Sequence, residues 1–405
     1  MRPRLGATTL LAVLATVGAG AAPGARNPTG WKQIDPPAGP GAMAPSLTVS
    51  GQEVLLSWLE PLGPAKEPTG HRLQLARLTG ERWSAPSTVA SGQGFFANWA
   101  DFPAVAQAPD GSLTAHWLAK MGEDKYAYGI YLARSTDRGA TWAKIGMLHE
   151  DNVPSEHGFV SWIPEEKGLR AVWLDGRGMP KGGPMTLRSG LVGDAVPKSS
   201  ELLDDRVCDC CQTDAALAEG GPVVAYRDRT PKEIRDIHVL RRTPSGWSQP
   251  VKIGNDGWQL PGCPVNGPAI AAAGKLVAVA WFTGAAPGPR VQVAFSSDGG
   301  ASFGKPLLLD GAKPLGRVDV VLESGDALVS WMSLVGDNAV IRLRRVSAKG
   351  KMGLPVPVAA TSSARGSGFP RAAVVNGRLH LAWVEEGANG RRVRLGSLPV
   401  KTLTP

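Results

Sequence analysis

At 405 residues, with 43% apolar and 20% charged side chains, the chain is long and apolar enough to bury a sizeable core, which excludes a disordered or staple-dependent miniature class. Lys and Arg number 44 against 35 Asp and Glu, a formal charge of +9, yet the basic residues are scattered and form no long run. That pattern reads as a solvated charge excess, so no nucleic-acid partner is expected.

The chain opens on a segment with the marks of an export signal. Arg2 and Arg4 precede an apolar run from Leu10 to Val17, which ends in Ala19-Gly20-Ala21. The run is too short to cross a bilayer, and nothing downstream supplies the ~18 apolar residues of a spanning helix, so no membrane span is predicted. Cleavage is expected between Ala21 and Ala25, which makes 1–25 a signal peptide and 26–405 one secreted or periplasmic domain.

Beyond Gly30 one phrase recurs: an apolar strand, a Gly turn, and a strand ending in small-x-aromatic. It carries Trp58, Trp117, Trp173, Tyr226, Trp281, Trp331 and Trp383 in turn, at successive spacings of 59, 56, 53, 55, 50 and 52 residues. Each aromatic strand is followed by another alternating run, such as LQLARL, IHVLRR or VQVAFS, and usually by a fourth. Short alternating strands at this period predict an all-β fold, a β-propeller of about seven four-stranded blades, or six if one unit is degenerate. The seventh unit stops near Val400 without a fourth strand, whereas Gly30-Trp31-Lys32-Gln33-Ile34 resembles the fourth-strand phrase Gly246-Trp247-Ser248-Gln249-Pro250. The N-terminal strand is therefore expected to complete the last blade and cover its edge. The aromatic series reads as packing between blades.

Two predicted turns between third and fourth strands share a sharper pattern. Ser135-Thr136-Asp137-Arg138-Gly139-Ala140-Thr141-Trp142 and Ser296-Ser297-Asp298-Gly299-Gly300-Ala301-Ser302-Phe303 both fit S-x-D-x-G-x-[ST]-[WF]. In such a turn the Asp accepts backbone N–H groups, Gly supplies positive φ, and the ring plugs the hairpin. The pattern resembles the Asp-box (BNR repeat) of sialidase-superfamily propellers. The resemblance implies that Ser135, Asp137, Gly139, Trp142, Ser296, Asp298, Gly300 and Phe303 are structural, on the face opposite the active site. It implies further that, if the chain is an enzyme, it is a glycoside hydrolase of exo-alpha-sialidase type, using an arginine triad, a late Tyr nucleophile backed by Glu, and an Asp acid/base. The sequence departs from that pattern in three respects, the first being seven units where the family has six. Asp101-Phe102-Pro103-Ala104 stands where the family has Phe-Arg-Ile-Pro, and all four tyrosines lie at or before Tyr226.

With those turns on the lower face, the loops approaching each first strand and those joining second to third strands share the upper face. Reactive residues crowd it in blades three to five. Cys208, Cys210, Cys211 and Cys263 are all there, and Cys208 and Cys263 each precede their blade's aromatic by 18 residues, comparable positions in adjacent blades. For an exported chain disulfides are expected, Cys208 or Cys211 with Cys263 and a vicinal Cys210–Cys211 bond among the schemes. The alternative is a thiolate-rich zinc or copper site with His157 as a further ligand. The other histidines, His149 among them, fall in or beside strands and turns and read as ordinary.

Arg177, Arg227, Arg229 and Arg235 stand among Asp228, Glu233 and Asp236. They read either as mutually paired charges or as a clamp for a carboxylate or sulfate, joined by Asp101 and Asn266. Asp175, Asp228 and Glu156 are the acid–base candidates, provided that burial raises a pKa. The sequence thus predicts a monomeric sialidase-like propeller that binds a glycan or other anionic small ligand at the upper face of blades three to five, with hydrolysis conditional on those carboxyls. A non-catalytic metal-binding or protein-interaction propeller organised by the cysteines is the alternative.

Overall fold

The computed structural model describes Pro28 and residues 30–387 and 390–405, so the expected signal segment 1–25 lies outside the described residues. Seven antiparallel sheets follow one another along the chain. Their first strands are Met43–Ser50, Ala104–Gln107, His157–Glu165, Asp214–Ala218, Ala269–Ala273, Pro314–Glu323 and Arg371–Val375. Each sheet adds its strands outward in sequence order, the outermost being split in two in blades one and four. First strands of neighbouring blades pack together except between blades two and three, where His157–Glu165 meets Tyr128–Ser135, and Met43–Ser50 meets Arg371–Val375, so the ring closes around a central channel. Lys32–Gln33 pairs with Gly390–Pro399, Lys32 opposite Ser397 and Gln33 opposite Gly396. The N-terminal strand therefore supplies the fourth strand of blade seven, as the repeat predicts.

The seven recurring aromatics all lie in second strands and are at most 4% exposed. They fill the seams between sheets. Tyr226 of blade four packs on Val172, Leu174 and Leu187 of blade three, and Trp281 of blade five on Val223, Val239 and Ile253 of blade four. Truncating one such ring to Ala would cost about 3–5 kcal/mol. Their polar tips add a second seam. Tyr226 Oη donates to Asp204 at 2.6 Å, Trp281 Nε1 to Asp256 at 2.8 Å and Trp331 Nε1 to Asp310 at 2.8 Å, each acid standing at or just beyond the end of the preceding blade's outer strand.

A third seam runs along the channel. Asp101, Asp214 and Asp319 accept the backbone N–H of Phe159, Ile270 and Ala372 at 2.8, 2.9 and 2.6 Å, in each case from the first strand of the next blade. These carboxyls satisfy donors that the open inner edge would otherwise leave unpaired. Near their upper ends the first strands of blades one, three and six each carry a register shift beside a residue of positive φ: Ala44 at 54°, Phe159 at 56° and Arg317 at 53°. Such bulges bend a strand and re-aim its side chains at a channel mouth.

The two S-x-D-x-G turns connect third to fourth strands in blades two and five. Asp137 accepts the Thr141 N–H at 2.9 Å and Asp298 the Ser302 N–H at 2.9 Å, while Ser135 Oγ and Ser296 Oγ accept Gly139 N–H and Gly300 N–H at 2.8 and 2.9 Å. Hydrogen bonds from Thr141 and Ser302 hold both Asp pKa values down at about 2. Among the described residues no helix is long and apolar enough to cross a membrane.

Candidate functional site

The loop between the last strand of blade three and the first of blade four presents the Cys-Asp-Cys-Cys sequence on the upper face. Cys208 is anchored because its N–H donates to Arg227 O at 3.0 Å. Its sulfur lies 3.0 Å from that of Cys211 and 4.0 Å from that of Cys210, and the three ligand atoms all fall within 4.8 Å of one another. A disulfide requires about 2.05 Å. All four cysteines are free thiols, so the expected bonds, vicinal pair included, are absent among the described residues. Cys208 and Cys211 are buried, Cys210 is half-buried and Cys263 is exposed.

The thiols do not ionise alike. Burial opposes charge on Cys208, but hydrogen bonding with Cys210 and Cys211 and the Arg227 charge carry its pKa well below the ordinary value. Hydrogen bonding with Cys210 likewise lowers Cys263. Cys210 is raised by its hydrogen bond with Cys208, and Cys211 by burial. Arg235 Nη1 donates to Cys208 Sγ at 3.2 Å, a fixed cation that favours the thiolate form.

Of the two readings of the arginines, the geometry matches mutual pairing. Arg227 spends its guanidinium on the carbonyls of Asn266, Arg235 and Phe282, at 2.6–3.0 Å. Arg229 is held by Glu233 at 2.9 Å and Asp209 at 3.2 Å, and Arg235 by Glu233 at 2.8 Å and Leu260 O at 2.9 Å. Arg177 fastens on Asp175 at 2.7 Å and Glu150 at 2.7 Å. Asn266 is a strut whose Oδ1 accepts Arg317 N–H at 2.7 Å. These side chains satisfy one another and the backbone, as interleaved charges commonly do.

His157 stands apart from the sulfurs. Its Nε2 lies 3.3 Å from Asp151 Oδ1 and 3.7 Å from Asp175 Oδ1, and its ring stacks on His149 at 3.8 Å. It belongs with His149 and Asp151, so its expected role as a ligand beside the cysteines is corrected. Asp175 is also corrected as a general acid. Although burial alone would raise its pKa, hydrogen bonds from Arg177 and the charge of His157 hold it below the ordinary value, and Trp173 Nε1 donates to it at 2.9 Å.

The remaining acids behave differently. Burial pushes Asp228 up to about 6 and Glu156 up to about 7. Tyr128 Oη lies 2.8 Å from Glu156 Oε1 and 3.1 Å from Asp101 Oδ2. One phenol carries one proton, so it donates to one carboxyl and accepts from the other, which must be protonated. Asp101 fits that part, since burial and then the Glu156 charge push its pKa up to about 8. Asp101 is therefore a protonated clasp between blades, and it also lines the channel cavity. Sequence reasoning missed Tyr128, His149 and Asp151, because nothing in their spacing distinguishes them from ordinary strand and turn residues.

Inside the channel a cavity of about 300 Å³ is lined by Ser46, Thr48, Ser161, Thr213, Asp214 and Arg371 among others. At the upper end Trp99 stacks on Phe369 at 5.9 Å, and the Arg317 guanidinium lies 5.0 Å over Trp99.

No family model matches the sequence, and no curated protein is similar to it at a significant level. Solved structures do match. An alpha-L-arabinanase of Penicillium chrysogenum superposes with a TM-score of 0.50 at 14% identity, over 94% of this chain and 100% of its own. A polysaccharide lyase superposes at 0.55 with 11% identity, over 94% of both chains. A Hadza microbial sialidase reaches 0.49 at 12% identity, over 84% of this chain and 75% of its own, too low a score to carry weight. At these identities the fold is what is shared.

Proposed function

We propose that the upper face of blades four and five is a thiolate centre for a soft metal ion, zinc or Cu(I), held by Cys208, Cys210 and Cys211 with Cys263 as the fourth donor. The observation that carries it is the convergence of three sulfurs within 4.8 Å of one another. Sulfurs about 2.3 Å from a common tetrahedral centre stand about 3.8 Å apart, inside the range found here. Arg235, donating to Cys208 at 3.2 Å, is the outer-layer partner that orients a thiolate and offsets its charge. Exposed Cys263 gives an ion its way in. In an exported chain, ligation also explains how adjacent thiols stay unpaired.

Metal content and thiol titration of protein purified under reducing, anaerobic conditions test this reading. About one metal per chain, lost in Cys208→Ser/Cys211→Ser, is expected. Four freely titrating thiols that take up neither zinc nor Cu(I) would overturn it.

A second reading rests on Tyr128 and Glu156. A buried phenol bonded to a carboxyl pushed up to about 7 is suited to proton transfer on a glycan or another anionic ligand at neutral pH. It ranks second because the neighbouring arginines are already engaged. A panel of chromogenic glycosides decides it: turnover abolished in Glu156→Gln supports it, and inactivity of the wild type across the panel counts against it.

A further inference from the structure

We propose that blade two carries a separate Cu(I) site built from two thioethers and one imidazole: Met121, Met147 and His149, arranged around the open face of Gly129.

The register of the sheet brings these residues level. Gly129, second residue of the third strand, lies opposite Ala119, and Met121 directly follows the second strand, tied by its N–H to Ala127 O at 2.9 Å. Met147 ends the fourth strand opposite Tyr131, and Leu148 N–H donates to Ile130 O at 2.8 Å, which sets His149 beside Gly129. A Cβ added to Gly129 would lie 2.6 Å from Met121 Sδ, 2.9 Å from His149 Nε2 and 3.2 Å from Met147 Sδ. Three donor atoms thus surround one small space that only glycine leaves open. An ion would stand further out along the same direction, within reach of the flexible Met side chains.

The imidazole is prepared for a metal. His149 Nδ1 lies 3.1 Å from Asp151 O and 3.1 Å from Asp151 Oδ2. Both are acceptors, so Nδ1 carries the proton and Nε2 presents a lone pair. That nitrogen is buried and has no hydrogen-bond partner among the described residues, in a residue 2% exposed. Asp151 is fixed in turn by Arg177 at 3.1 Å and His157 at 3.3 Å, and the ring is held flat on His157. A carboxylate behind a histidine whose other nitrogen points into a donor cluster is the arrangement that orients metal-binding imidazoles.

The donor set selects the ion. Two thioethers and a neutral imidazole bring no anion, which disfavours hard or divalent cations, and thioether sulfur suits Cu(I). None of these atoms is shared with the cysteine cluster, so the two sites stand or fall separately.

Cu(I) equivalents and affinity would be measured by competition with a chromophoric Cu(I) chelator in the wild type, Met121→Leu/Met147→Leu and Cys208→Ser/Cys211→Ser. Met to Leu conserves volume, so the sheet should survive. Loss of one equivalent, or about a tenfold weakening of it, in the Met variant but not in the Cys variant is expected. Should the Met variant fail to fold, His149→Gln and Gly129→Ala report on the same equivalent. Unchanged copper number and affinity in whichever of these variants folds would overturn the proposal, whatever the cysteines bind.

Discussion

Arg235 places Nη1 3.2 Å from the sulfur of Cys208, and that contact couples the charged network of blade four to the thiol cluster. Arg235 itself is 2% exposed, so its charge acts on the sulfur with little solvent screening. Replacing it with Gln keeps a polar side chain and deletes the charge. In metal-free protein the ultraviolet thiolate absorbance of Arg235→Gln should appear at higher pH than in the wild type. An unchanged onset would show that the cysteines set their own ionisation.

Asp101 makes stability depend on pH in a definite direction. Its carboxyl titrates near 3.9 in an unfolded chain but is pushed up to about 8 by burial here. The folded state therefore binds the extra proton between those values, and stability falls as pH rises from about 4 to about 8. Asp101→Asn retains an acceptor for Phe159 N–H and cannot ionise. Its urea midpoint should fall less steeply than that of the wild type across this window. Parallel profiles would assign the slope to Glu156 or Asp214, pushed up to about 7 and about 6.

The ring itself was legible because a propeller repeats its packing: one aromatic per second strand, read at regular spacing, became one buried ring per seam. The closing strand was legible for the same reason, since Trp31 repeats the phrase of Trp247. The site was legible only where residue type sufficed. Cysteines in comparable loops were expected to lie close, and three of them converge, but whether as bonds or as thiols depends on sulfur distances that spacing does not encode. The arginines left two readings open, paired charges or a clamp, because part of what holds them is backbone carbonyl, such as Asn266 O and Leu260 O, which leaves no mark in a sequence. His149 looked ordinary for a related reason: its neighbours Met121 and Met147 join it only through strand register.

The S-x-D-x-G turns also clasp neighbouring blades. Gly139, at φ 86°, would place a Cβ 2.8 Å from Leu75 Cδ2 of blade one, whereas Gly111, at φ 84°, faces open space. Both Ala substitutions incur backbone strain of about 1–3 kcal/mol. Only Gly139→Ala adds a clash across the seam, so its denaturant midpoint should lie below that of Gly111→Ala. Equal midpoints would mean that the turn contributes nothing between blades.

Gly396 is the seat of the closing strand. A Cβ there would come within 2.0 Å of Trp31 Cζ2, and Trp31 in turn stacks 6.1 Å from Trp383, the recurring aromatic of blade seven. Gly396→Ala should therefore displace Trp31 and loosen Lys32–Gln33, which pairs with Ser397 and Gly396 beside it. Overpacking of this kind costs about 1–3 kcal/mol. Chymotrypsin should then clip after Trp31 faster than in the wild type, and the unfolding midpoint should drop. In a chain already shortened to begin after residue 34, the same substitution should cost far less, because contacting groups do not lose stability additively. An equal cost in both backgrounds would show that Gly396 matters for its own strand and not for closure.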